Sequence, residues 1–120
     1  MNSESRAVID RSILQELREL QGEGDPDIVS ELVELFLESA PESIEMIRES
    51  LSKGDPDLLA KAAHNLKSSS AALGAFGLSQ ISREMEMRGR SGDLSDASDM
   101  LNRLKAEYRQ VEDALKAEIE

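Results

Sequence analysis

At 120 residues the chain has room for one modest core, and 39% apolar against 32% charged side chains places it among globular rather than disordered sequences. A formal net charge of −11 with no dense basic patch argues against nucleic acid, and against an anionic membrane surface, as partners. Without cysteine there are no disulfides or thiolate metal sites, and no apolar run reaches the ~18 residues of a membrane span or takes the form of a secretory leader, so a cytoplasmic protein is expected.

Read in chain order, residues 1–8 are expected to form a flexible tail on a single domain covering residues 1–120. The segment DRSILQELREL puts Ile13, Leu14, Leu17 and Leu20 on one stripe, which predicts a short N-terminal helix. The pair Gly24-Asp25, followed by Pro26, then reads as a stop and a start. Glycine ends one helix in the left-handed conformation, aspartate caps the next, and proline suits its first position. The same pair recurs at Gly54-Asp55, before Pro56, and at Gly92-Asp93, with unequal spacing that argues against a repeat. After Asp25 the apolar residues Ile28, Leu32, Leu35 and Phe36 predict a second helix, ended by Ala40-Pro41, with another carrying Ile44, Ile47 and Leu51. Two helices joined around Gly74 to Gly77 follow. The third Gly-Asp pair opens a long last helix through Leu101, Leu104, Tyr108, Val111 and Leu115. The whole reads as five or six helices. The fold class expected is all-α, an up-and-down antiparallel bundle with a four-helix core and a short additional N-terminal helix.

The one histidine, His64, falls inside the helix that follows Asp55. On a helical wheel Leu73, Ala62 and Leu66 lie within roughly 20° of the side opposite to it, so the ring faces away from the core. Asp57, Ala60, Lys61, Lys67, Ser68 and Ala71 share its face, within about 60°. Three of these are small, which leaves a clearing that another protein's surface can enter, with Lys67 one turn away. A neutral imidazole is a nucleophile, and a nearby ammonium offsets the charge of a phosphoryl group placed on it. A lone surface histidine beside a lysine also arises by chance, and on geometry alone both readings stand.

The run HNLKSSSAALGA resembles the signature of histidine-containing phosphotransfer (HPt) domains, in which histidine is followed by x-leucine-lysine-glycine-serine-serine and later by leucine-glycine. His64, Leu66, Lys67, Ser69, Ser70, Leu73 and Gly74 carry the match, and the flanking segments ELFLESAPESIEMIRESL and LSQISREMEMRGR extend it over nearly the whole chain. The resemblance implies a helical bundle in which His64 is the phospho-acceptor and Lys67 supports the phosphate. It further implies a relay that takes a phosphoryl group from the aspartate of one receiver domain and gives it to another. Ser68 departs from the signature, which has glycine there. Only about 40° from His64 on the wheel, its hydroxymethyl group intrudes on the approach path while offering a donor to phosphate.

If the hairpin turns near Ala75, the position mirroring His64 is Glu86, with Arg90 one turn on. By the resemblance, a polar residue there holds the second ring nitrogen. Arg90, or else Arg83 or Arg88, adds positive charge, and an ordinary solvated helix face remains the other reading of these positions. Ala60, Ser68, Ala71 and Ala75 lie along one line and form the expected docking surface. No phosphate-cradling glycine loop is present, so the expected protein is a phosphoryl carrier without kinase activity of its own. No cofactor is expected to be bound, and magnesium comes with the partner. The expected partners of a monomeric chain are receiver domains of response regulators or hybrid sensor histidine kinases.

Two other classes stay open at this point. One is a helical module that docks a receiver without taking phosphate, and the other an oligomerising bundle, whose last helix lacks sustained heptads. The serine-x-x-lysine run Ser50 to Lys53 has none of the companion motifs of an acyl-transfer enzyme.

Overall fold

The computed structural model describes residues 8–22, 24 and 27–119. Five helices follow one another: α1 (Arg11–Leu20), α2 (Ile28–Lys53), α3 (Pro56–Ala72), α4 (Phe76–Ser91) and α5 (Ala97–Ile119). Among the described residues there is no strand, and no helix is long and apolar enough to cross a membrane. Helix α3 packs on α2 and α4, and α5 packs on the same two from the other side, so the four close into a ring. Helix α1 lies against α2. This is the up-and-down bundle that the helix-and-turn pattern predicts.

The turn between α2 and α3 follows the expected chemistry in full. Gly54, at φ +64°, takes the left-handed conformation that a side chain would strain, and its N–H donates to the Ser50 and Leu51 carbonyls. Asp55 then caps α3 by accepting from the Leu58 N–H at 3.1 Å, and Pro56 fills the first helical position. The other two signals work differently. Helix α2 is capped by Asp27, whose side chain accepts from the Ser30 N–H. Asp25 and Pro26, the expected cap and first residue, lie outside the described residues. Gly92 does end α4, but Asp93 accepts from the Ser95 N–H in a local turn, and α5 starts only at Ala97.

Pro41 neither ends a helix nor starts one. It sits inside α2, which runs unbroken for 26 residues. A proline in a helix forfeits one backbone hydrogen bond. Here the buried stripe Val29, Val33, Phe36, Ala40 and Ile47 continues across it, and burial of those side chains in one core offsets the loss. The inward stripe of α2 also differs from the expected one, with Leu35 and Ile28 exposed. Leu20, expected on the apolar side of α1, is 83% exposed, while Leu14 of the same helix is fully buried. The stripe of α5 (Leu101, Leu104, Tyr108, Val111, Leu115) is buried as expected.

Helix α1 is tied to the far end of the chain by charge. The buried side chain of Glu118 accepts from Arg11 Nε at 2.7 Å and Arg18 Nη1 at 3.2 Å. Of the expected tail, residues 1–7 lie outside the described residues. Its last residue, Val8, packs against the core, and Ile9 is buried within it.

Candidate functional site

The site is built where α3 and α4 run side by side. Leu59, Ala62, Ala63 and Leu66 turn one side of α3 into the core, which leaves His64 on the opposite side with its side chain 52% exposed. Across from it, Leu78, Ile81 and Met85 bury one side of α4 and carry Glu86 to the boundary between the helices. The two helices can approach closely because Gly89 has no side chain. An added Cβ there would lie 2.7 Å from the Ala60 nitrogen and 2.7 Å from the Pro56 carbonyl oxygen.

Glu86 organises everything around the ring. Its side chain is only 6% exposed, yet it has three donors. Oε2 lies 3.0 Å from His64 Nδ1 and also accepts from Arg90 at 2.6 Å, while Oε1 accepts from Lys67 Nζ at 2.8 Å. Burial works to raise the Glu86 pKa. The bonds from Lys67, Arg90 and His64, with the charge of Lys67, outweigh burial and hold it down to about 2. At neutral pH Glu86 is therefore a carboxylate and can only accept. The proton of the neutral imidazole then belongs on Nδ1, which leaves the lone pair on Nε2. A shallow hollow lined by Asp57, Ala60, Lys61, Asn65 and Arg90 opens beside the ring.

The positions singled out in the sequence divide accordingly. His64, Lys67, Glu86 and Arg90 form one bonded cluster, and Ala60 lines the hollow. Ser68 is exposed and Ala71 is half-buried. Ala75, expected on the docking surface, is instead fully buried. It follows Gly74, whose carbonyl accepts from the Asp10 N–H at 2.7 Å, so the chain entering α1 covers this end of the hairpin. Of the two alternative cations, Arg88 is engaged by Asp96 at 2.8 Å, and Arg83 is exposed. Within the signature, Leu66, Ser70 and Leu73 are buried and Ser69 is half-buried. Ser70 Oγ donates to the Leu66 carbonyl, so that hydroxyl serves the helix and not the site.

Three contributors escaped the sequence reading. Asn65 lines the hollow beside His64. Ser79 of α4 donates to the Lys67 carbonyl at 2.9 Å and ties the backbone under that lysine. Gly89 sets the helix spacing, and its position inside a helical pattern, where glycine costs about 1 kcal/mol, was the available signal.

The bundle thus holds its one histidine ring by Nδ1 against a buried carboxylate. The family model described as Hpt domain matches residues 31–114. A crystal structure of histidine-containing phosphotransfer protein B (HptB) from Pseudomonas aeruginosa PAO1 is similar to this chain with a TM-score of 0.85 and 25% sequence identity, over 94% of this chain and 95% of that one. Curated proteins gave no significant match. The chain belongs to the Hpt domain family, and its role is in a phosphotransfer relay. Domains of this family are phosphocarriers rather than kinases, and they interact with receiver domains.

Proposed function

We propose that His64 is the phospho-acceptor. It takes a phosphoryl group from an aspartyl phosphate of one receiver domain and passes it to an aspartate of another. The observation that carries this reading is the contact of Glu86 Oε2 with His64 Nδ1 at 3.0 Å, which leaves Nε2 as the nucleophilic nitrogen of a half-exposed ring. In the forward step the Nε2 lone pair forms a bond to phosphorus as the bond from phosphorus to the aspartyl oxygen breaks, and the carboxylate leaves. The reverse step restores the acyl phosphate on the second receiver. Such transfers depend on positioning and on compensation of charge. Lys67 and Arg90, both held by Glu86, keep positive charge beside the ring, and the receiver brings the magnesium.

The test is transfer from a phosphorylated receiver domain in the presence of magnesium. An acid-labile, base-stable label on this chain is expected, and failure with every receiver tried counts against the reading. The hollow beside His64 would be where the receiver docks. Ala60→Trp, which fills it, should slow transfer about a hundredfold, the scale of effect expected when reacting groups are displaced by about 1 Å, while the helical circular dichroism stays that of the parent. Transfer at the parental rate would remove this hollow from the docking surface. Ser68→Gly should leave transfer competence intact, since the exposed Ser68 side chain makes no hydrogen bond to the described residues of the cluster and glycine only clears the approach. A chain that no longer accepts the label would make the hydroxyl part of the site.

A further inference from the structure

The proposed attack leaves Nε2 bonded to phosphorus and Nδ1 still carrying its proton, so the fate of that proton decides how easily the phosphoryl group moves on. With Nδ1 protonated, breaking the P–N bond returns the electron pair to Nε2 and releases a neutral imidazole. With Nδ1 bare, the same step must expel an imidazolate anion, a far poorer leaving group. An ordinary imidazole exchanges this proton at a pH of about 6.5, so a free phosphoimidazole would sit astride the two cases near neutrality.

Here Nδ1 faces a buried carboxylate. Building on the reading of His64 as phospho-acceptor, we infer that Glu86 keeps Nδ1 protonated in the phosphorylated state and so holds the phosphoryl group in its transferable form. An adjacent anion favours the protonated ring. The cations that face the same carboxylate, Lys67 from α3 and Arg90 from α4, oppose the effect but are spent on Glu86 itself. Lys61 and Asp57, the other titratable groups lining the hollow among the described residues, carry opposite charges. Because Glu86 stays ionised down to a pH of about 2, the latch does not release in the physiological range. A neutral amide at this position would act differently. It accepts through oxygen or donates through nitrogen, so it tolerates a bare Nδ1, and it frees Lys67 and Arg90 to pair with the phosphoryl oxygens. Glu86 is in this sense a positioning residue that acts through the ring.

The experiment uses phosphoramidate to phosphorylate the full chain chemically, with no receiver needed, and follows loss of the label between pH 5.5 and 8.5 in the parent and in Glu86→Gln. The parent rate is expected to be nearly flat across this range. The variant should match it at pH 5.5 and fall about tenfold below it at pH 8, the equivalent of one pKa unit. Superimposable profiles would overturn the inference and leave His64 as acceptor untouched. Nitrogen-15 NMR of the phosphorylated parent at pH 8 tests the same point without a substitution. A protonated Nδ1 supports the latch, and a bare Nδ1 overturns it. A parent chain that takes no label on His64 overturns the acceptor assignment itself.

Discussion

His64→Gln is expected to remove the phosphoryl label completely and to leave the bundle folded. The side chain is half-exposed, so its replacement forfeits little buried apolar surface. The substituted amide can still donate toward Glu86, so the buried carboxylate keeps its full set of donors alongside Lys67 and Arg90. Stability should then change by less than about 0.5 kcal/mol, the range of ordinary surface substitutions. Transfer has no such fallback. His64 is the one imidazole in the chain and there is no cysteine, and an amide nitrogen is not a nucleophile toward an acyl phosphate. The check is the receiver transfer assay beside a thermal melt of the same preparation. A variant that takes up label as the parent does would place the phosphoryl group on another residue and end the case for His64. A variant that loses both label and fold would instead give the ring a structural role.

What could be read from the sequence was what single segments determine by themselves. Gly54-Asp55-Pro56 was legible because all three residues act within one turn, through a left-handed φ, a side-chain cap and a preset φ. The orientation of His64 was legible for the same reason, since one helix carries both the ring and the leucines opposite to it. Even Glu86 was within reach, because a tight hairpin makes positions mirror each other. Pro41 was misread because its local cost is small beside the burial of Val33, Phe36, Ala40 and Ile47, which only the assembled bundle reveals. Ala75 was misread because it belongs to the assembled core, at an end of the hairpin where the Asp10 segment, 64 residues away in the chain (74 − 10), bonds to the neighbouring Gly74. At Gly74 both constraints meet: its φ is +82°, and an added Cβ would lie 2.6 Å from the Asp10 carbonyl oxygen. Lys67 was expected to attend the phosphate directly. Its bond to Glu86 is a feature of two helices, and no pattern within one of them encodes it.

Gly89→Ala is the substitution on which local and tertiary physics disagree most. Helix propensity alone favours alanine by about 1 kcal/mol, so a reading of α4 in isolation expects a more stable protein. The packing says otherwise. The new Cβ would stand 2.7 Å from the Ala60 nitrogen and the Pro56 carbonyl oxygen, and 2.9 Å from the Ala60 Cα. All three are backbone atoms of α3, with no rotamer to change, so relief comes only from moving the helices apart. Overpacking of this kind costs about 1–3 kcal/mol, occasionally more. With only backbone atoms as the nearest neighbours the upper end applies, and a net loss of about 2 kcal/mol remains after the propensity gain. In a chain of this size that lowers the midpoint of thermal unfolding by roughly 6–10 °C. The site should suffer beyond the fold, because Glu86 lies one turn before Gly89 and His64 one turn after Ala60. Separation of the helices at this level stretches the 3.0 Å contact between Nδ1 and Glu86, and transfer measured well below the melting range should slow as well. A midpoint equal to or above that of the parent would show that α3 and α4 can part here without cost, and the account of Gly89 as the residue that sets the spacing of the site would have to be given up.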